Sequence, residues 1–221
     1  MMKLLPFIPE AVIVGNGEFP SHPFPLHILE TVSYVICCDG GADAFVHHTD
    51  RVPDWIIGDG DSLSEENRRR FQSIIRYNPD QETNDLTKSV LFLQERGIHR
   101  IVIVAATGKR EDHTLGNISL LMEYHRQGLE VMMLTDYGFF VPATDTQSFV
   151  SFKGQQVSVF SFGTSGMSEE GLVYPLRDFT SWWQGTLNES LGNQFTVHCQ
   201  GEYLISVSYT HLRAHETVLD L

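Results

Sequence analysis

Over its first 135 residues the chain returns repeatedly to short, unbroken apolar runs. They are AVIVG (11–15), YVICCD (34–39), DWIIGD (54–59), IIRYN (74–78), RIVIVAA (100–106) and EVMMLT (130–135). Several are β-branched throughout and lack the polar alternation of a strand with one wet face. Such strands need cover on both sides, which a parallel sheet between helical layers provides. The segments between them carry helical spacing. Leu86, Val90 and Leu93 fall at i, i+4 and i+7 within 84–96, and Leu115, Ile118 and Met122 at i, i+3 and i+7 within 112–127. A shorter helix is read over 64–74. This alternation predicts a doubly wound, mostly parallel α/β domain with right-handed crossovers.

After about residue 136 the pattern changes. GFFVPA, QSFVSF, QQVSVFSF, NQFTVHCQ and EYLISVSY are short strand-like runs separated by turn residues, with no convincing helix. They predict a small all-β sandwich or barrel. The boundary falls near Thr135–Tyr137, giving domains 1–136 and 137–209. The tail 210–221 reads either as a terminal helix or as a stretch not native to the chain, and is assigned no function.

Composition narrows the function. A formal net charge of -13 and a pI near 5.1 argue against a nucleic-acid surface or an anionic lipid surface as partner. An acidic protein still binds phosphorylated ligands where a metal or backbone amides supply the positive field. Cys37, Cys38 and Cys199 lack metal-ligand spacing and read as reduced, buried thiols of a cytoplasmic protein. MMKLLPFIPE is too short and proline-broken for a secretory signal, and no apolar run reaches the ~18 residues of a membrane span.

In an open parallel sheet, ligands bind beyond the carboxyl ends of the strands. Four polar stretches fall there: CDGGAD (38–43), GDGDS (58–62), NPDQETNDLTK (78–88) and ATGKREDH (106–113). Each has an ordinary structural reading. Asp39 with Gly40-Gly41 can be a turn feeding a helix, Asp61 or Ser62 can cap helix 64–74, and Asp85 and Asp112 can serve their own helix starts. One cap does not require both Asp59 and Asp61, which on extended backbone would share a face. Four acidic strand-end loops fit a hard-cation site, with Asp59, Asp61 and Asp85 as the expected ligands of Mg²⁺. Gly58 and Gly60 would let a phosphate approach the backbone. TGKRED before a helix offers free amides with Lys109 and Arg110 for a polyphosphate, and Gln81, Thr83 and Lys88 add polar reach. No Walker A sequence, kinase glycine loop, HExxH pair or GxSxG elbow occurs. His113 is the one histidine placed to touch the site, in a packing or a catalytic role.

The ordered set CDGGAD, PDWIIGDGDS, DQETNDLTKSV and GKREDHTLGNISLL resembles the thiamine pyrophosphokinase family, and EEGLVYPL (169–176) and GTLNES (185–190) extend the likeness into the second domain. The resemblance implies a Rossmann-like α/β nucleotide- and metal-binding domain followed by a β-sandwich for thiamine binding and dimerisation. It implies transfer of diphosphate from ATP to the thiamine hydroxyl, leaving AMP. The runner-up is an ATP-dependent kinase or diphosphotransferase acting on another small alcohol. By position, Asp59, Asp61 and Asp85 would hold Mg²⁺ and act with Arg110 in catalysis. Asp39, Gly40, Gly58, Gln81, Thr83, Lys88, Lys109, Asp112 and His113 would serve the nucleotide. Tyr174 would stack on thiamine, with Thr186 and Asn188 lining its pocket, between one subunit's sandwich and the other's α/β domain. Two departures stand out: Lys109 occupies the place of a second glycine, and Leu187 that of a small hydroxyl residue.

Overall fold

The computed structural model describes residues 6–80 and 82–211, so Gln81 and the tail from 212 onward lie outside the described residues. Two compact units divide after Asp136.

The unit Phe7–Asp136 is built on six parallel strands in the order β6-β5-β1-β2-β3-β4. These are β1 (Ala11–Val14), β2 (Tyr34–Cys38), β3 (Trp55–Gly58), β4 (Ile75–Tyr77), β5 (Arg100–Val104) and β6 (Glu130–Leu134). Ala11 through Val14 and Ile101 through Val104 are fully buried, as strands covered on both faces must be. The helices are α1 (Pro23–Thr31), α2 (Gly41–His48), α3 (Glu65–Arg70), α4 (Asp85–Gln94) and α5 (Glu111–Arg126). On α4 the expected Leu86, Val90 and Leu93 are buried. On α5 the burial runs through Leu121, Met122 and Tyr124, while Leu115 is exposed. The helix stands where the spacing placed it, with Met122 buried, although its first turns carry no core face. The helix expected over 64–74 ends at Arg70, and a 3₁₀ turn leads into β4.

Side-chain caps hold the loops that frame this sheet. Asp136, just past β6, accepts from Ser21 N–H (2.8 Å), the Ser21 hydroxyl (2.6 Å) and His22 N–H (3.0 Å), fixing the entry to α1. Arg51 donates to the Val32 carbonyl (2.9 Å) and to Leu29 O at the other end of α1.

The unit from Tyr137 onward is all-β and antiparallel, in two sheets ordered β11-β9-β13-β7 and β10-β12-β8. The strands are β7 (Gly138–Thr144), β8 (Gln147–Val150), β9 (Gln155–Ser161), β10 (Ser165–Glu170), β11 (Asn188–Glu189), β12 (Gln194–Gln200) and β13 (Glu202–His211). Phe149 on β8 stacks on Phe195 of β12 (5.1 Å) and meets Tyr203 of β13 edge-on (6.3 Å), so its ring joins the two sheets through one core. A 3₁₀ turn, Trp182–Gly185, precedes β11.

Candidate active site

The carboxyl ends of β2, β3 and β4 converge on three aspartates. One ligand oxygen each from Asp39, Asp59 and Asp85 lies within 4.8 Å of the others. Asp39 ends β2 with φ +36, a left-handed turn that Asp tolerates better than most residues. Its Oδ2 accepts the Ser62 N–H at 2.7 Å, which ties the GDGDS loop to β2. Burial pushes the Asp39 carboxyl above its ordinary pKa; Asp85 and Asp59 push the same way and the Ser62 bond opposes them. Asp85 opens α4 behind its N-cap Asn84, and its Oδ1 accepts from the buried Lys88 ammonium at 3.0 Å. Clustered carboxylate oxygens, one of them buried, form a donor set suited to a hard divalent cation.

Asp61 lies outside this cluster and is exposed. The i, i+2 argument assumed extended backbone, but β3 stops at Gly58 and Gly60 turns the chain at φ +85. Gly60 also has no room for a side chain, since a Cβ would meet the Tyr77 ring at 2.7 Å. Gly58 serves the carboxylates: a Cβ there would meet Asp39 Cβ at 2.7 Å and Asp85 Oδ2 at 3.2 Å. Gly40 begins the turn into α2, and a Cβ on it would meet the Asn16 amide at 2.7 Å. Neither Asp61 nor Ser62 caps α3; that role is Ser64's. Ser64 N–H, the Ser64 hydroxyl and Asn67 Nδ2 all donate to Asp43 at 2.6–2.8 Å, a carboxylate the motif CDGGAD contains but function-based reading passed over.

The loop after β5 holds the expected phosphate contacts. Lys109 adopts φ +61 and its Nζ donates to the Asn16 carbonyl at 2.9 Å. Arg110 pairs with Asp112 across the first turn of α5, Nε to Oδ1 at 3.0 Å, and this bond holds the Asp112 carboxyl below its ordinary pKa against slight burial. His113 is exposed in the same turn. Thr83 bonds to Asp80 and shapes the loop before α4. Asn117, contained in the motif GKREDHTLGNISLL but given no role from sequence, donates to the Ala106 carbonyl (2.8 Å) and accepts from Asn84 (3.2 Å), joining the loops after β4 and β5.

The loop after β1 was also missed. Gly15, Gly17 and Glu18 donate backbone hydrogen bonds to Val104, Ala105 and Thr107 carbonyls at 2.8, 2.6 and 2.8 Å. A Cβ at Gly17 would strike Thr107 O at 2.3 Å. The signal was legible: GNG directly after an apolar run, beside the point where strand order reverses.

In the all-β unit, Tyr174, Thr186 and Asn188 line one pocket of about 310 Å³ with Leu176, Phe179 and Leu187. Asn188 is buried, and its amide is engaged within the fold: Oδ1 accepts from Tyr174 N–H (3.0 Å) and Nδ2 donates to Tyr174 O (2.7 Å). It positions Tyr174, whose ring is exposed. Thr186 donates to the Trp183 carbonyl at 2.7 Å. Trp182 donates its indole N–H to Ser161 O and packs on Phe162, while Trp183 stands exposed.

Residues 26–133 match the thiamin pyrophosphokinase catalytic domain, and residues 138–206 match the thiamin pyrophosphokinase substrate-binding domain. The chain is 26% identical to thiamine pyrophosphokinase 1 of Oryza sativa subsp. japonica over 212 residues, covering 81% of this chain and 78% of that protein. Its fold is similar to the thiamine pyrophosphokinase of Bacillus subtilis (TM-score 0.75, 21% identity, 90% of this chain and 98% of that one). The Candida albicans structure gives a TM-score of 0.77 at 17% identity over 90% and 88%. The two matched domains follow one another along the chain and together take in both strand-end loops and pocket: the protein belongs to the thiamin pyrophosphokinase family.

Proposed function

We infer that this protein is a thiamine pyrophosphokinase, moving an intact diphosphate from ATP to thiamine. The thiamine hydroxyl oxygen bonds to the β-phosphorus of ATP and loses its proton, while the bond from that phosphorus to the α-phosphate bridging oxygen breaks and AMP leaves. The observation that carries the reading is the carboxylate cluster Asp39, Asp59 and Asp85 at the strand ends of a family catalytic domain.

Those three aspartates would hold Mg²⁺, with Asp61 at the rim; the ion, when bound, supplies charge neutralisation for polyphosphate oxygens. Lys88 holds Asp85 in place from the buried side. Lys109 and Arg110, with the free amides that begin α5, suit the phosphate chain, and Asp112 keeps Arg110 extended along that turn. Gly40, Gly58, Thr83 and His113 shape or border the nucleotide loops. Tyr174 offers its ring to the thiamine heteroaromatic cation, and Asn188 and Thr186 hold the pocket. Catalysis on this reading is positioning and electrostatics.

We assign the nucleotide and metal to the α/β unit, and thiamine and dimerisation to the all-β unit. Exposed Val173, Tyr174, Trp183, Leu187 and Leu191 give the latter an apolar surface consistent with a homodimer. The three cysteines are free thiols and buried, which supports a reducing, cytoplasmic setting. Among the described residues no helix is long and apolar enough to cross a membrane.

The test is incubation with thiamine, ATP and Mg²⁺ followed by chromatography. Thiamine diphosphate and AMP in equal amounts are expected. ADP with a monophosphate ester would replace diphosphate transfer by simple kinase action.

A further inference from the structure

Helix α3 buries none of its six residues, so no core contact explains where its side chains point. Arg69 pairs with Glu65 on the surface at 2.9 Å, and Arg70 lies over the Phe71 ring at 4.8 Å. Only Asn67 and Arg68 of this helix are half-buried. Arg68 turns its guanidinium back over the GDGDS loop, where Nη2 donates to the Gly60 carbonyl and, at 3.4 Å, to the Leu63 carbonyl. Its Nε is buried and makes no hydrogen bond. A buried donor left unmade costs stability, so this placement does not serve the hydrogen bonding of the guanidinium itself.

The Gly60 carbonyl is one end of a peptide unit whose other end is the Asp61 N–H, and that N–H donates to Asp59 Oδ1 at 3.1 Å. The contacts therefore run from the Arg68 guanidinium, through one rigid planar peptide, to a carboxylate of the Asp39, Asp59 and Asp85 cluster. Glycine leaves that peptide free to take many orientations, and here Gly60 sits at φ +85. Two contacts fix it. The Tyr77 ring fills the space where a Cβ of Gly60 would lie, and Arg68 holds the carbonyl. A cation on the carbonyl also polarises the peptide, which strengthens its N–H as a donor to Asp59.

We propose that Arg68 is a positioning residue for the divalent cation, acting through the Gly60–Asp61 peptide to hold the Asp59 carboxylate in its ligating orientation. This rests on the metal reading above. Without Arg68 the peptide is free to turn, and Asp59 can swing away from Asp39 and Asp85, whose charges repel it. The sign of the effect is specific. A guanidinium acting only as a nearby charge would repel a dication, so its removal would tighten metal binding; a guanidinium acting by position makes removal weaken it.

The experiment titrates Mn²⁺ into wild type, Arg68→Met and Asn67→Ala, reading bound metal by electron paramagnetic resonance, beside melts in EDTA and the Mg²⁺ dependence of AMP release. Asn67→Ala removes a different hold on the same helix, the 2.6 Å bond to Asp43, and leaves the Gly60 carbonyl bonded. Arg68→Met should raise the Mn²⁺ dissociation constant about tenfold and the Mg²⁺ activation constant alike, with kcat at saturating Mg²⁺ within about threefold of wild type. Asn67→Ala should melt lower in EDTA yet bind Mn²⁺ within about twofold of wild type. Unchanged or tighter Mn²⁺ binding in Arg68→Met overturns the proposal. So does equal weakening in both variants, which would make Arg68 a holder of the helix alone. Arg68→Gln, too short to reach the carbonyl, decides by the same criteria if the methionine variant fails to fold. A wild type that binds no Mn²⁺ removes the metal reading, and this proposal with it; that outcome is visible before any variant is measured.

Discussion

Asp39→Asn separates a metal site from a cluster of helix-start carboxylates. The side chain is 3% exposed and its ligand oxygen lies within 4.8 Å of those of Asp59 and Asp85. Two unit charges at that spacing repel by about 3.5 kcal/mol at an effective dielectric of 20. Lys88, at 3.0 Å from Asp85, cancels much of one partner, and Asp59 is partly solvated. The relief from removing the Asp39 charge therefore shrinks to about 1 kcal/mol. Asparagine keeps what else the position needs: it tolerates φ +36, and its Oδ1 can still accept the Ser62 N–H. In EDTA the variant should melt about 3 °C above wild type. Titrating Mg²⁺ should reverse the order, because wild type gains stability by mass action and the variant loses a ligand. Turnover should fall at least about a hundredfold, as several kcal/mol of charge stabilisation goes with the ligand. Differential scanning fluorimetry with and without Mg²⁺, beside an AMP-release assay, reads all three. A variant that melts lower in EDTA and still shows the full Mg²⁺ increment would refute the reasoning.

Two further tests address the framework around the sites. Asn188→Ala strips the buried amide that binds both backbone groups of Tyr174 and also accepts from Glu189 N–H. The unpaired peptide groups should cost about 2 kcal/mol, seen as a lower denaturation midpoint, and the loosened Tyr174 should raise the KM for thiamine more than that for ATP. Asp136→Asn tests a pH-dependent anchor. Partial burial pushes Asp136 upward, but the bonds from Ser21 and His22 outweigh it and its pKa is lowered. A lowered folded value means the stabilisation is present at neutral pH and is lost as the pH falls below about 4. The variant should be less stable by about 1 kcal/mol at pH 7, with the gap closing in acid; a constant gap across pH would exclude the charge as its source.

The α/β half was legible because its physics is local. Runs such as AVIV and RIVIV can be buried on both faces in one way only, and each ends in a polar loop that must lie at the strand's carboxyl end. Which carboxylates meet was not local. The pairing of Asp59 with Asp61 failed at Gly60, whose φ no neighbour in sequence reveals, and Asp39 entered the cluster through the register of β2 on β3. The all-β half was less readable. SGMSEE carries strand β10 with only Met167 buried, so its place comes from backbone pairing to β12 and leaves almost no side-chain signal. Asn188 lines the pocket as read from sequence, and its amide also binds the backbone of Tyr174, a bond no sequence pattern reveals.

Backbone strain links these observations. Among the described residues, the non-glycine positions with positive φ are Asp39, Ala105, Lys109, Asp145 and Leu187. Such conformations cost about 1 kcal/mol or more and persist where surrounding structure enforces them. Asp145 shows that strain by itself indicates nothing: it turns β7 into β8, and both its N–H and its Oδ1 are satisfied by Gly201. Asp39 and Ala105 are likewise explained, by the Ser62 bond and by the Gly17 N–H that the Ala105 carbonyl receives. Lys109 closes its ammonium onto Asn16 and so links the loops after β1 and β5. Each of these four residues makes a bond within the fold that accounts for its conformation. Leu187 likewise makes its bond through the backbone, its N–H reaching the Ser158 hydroxyl at 3.4 Å beside the pocket it borders.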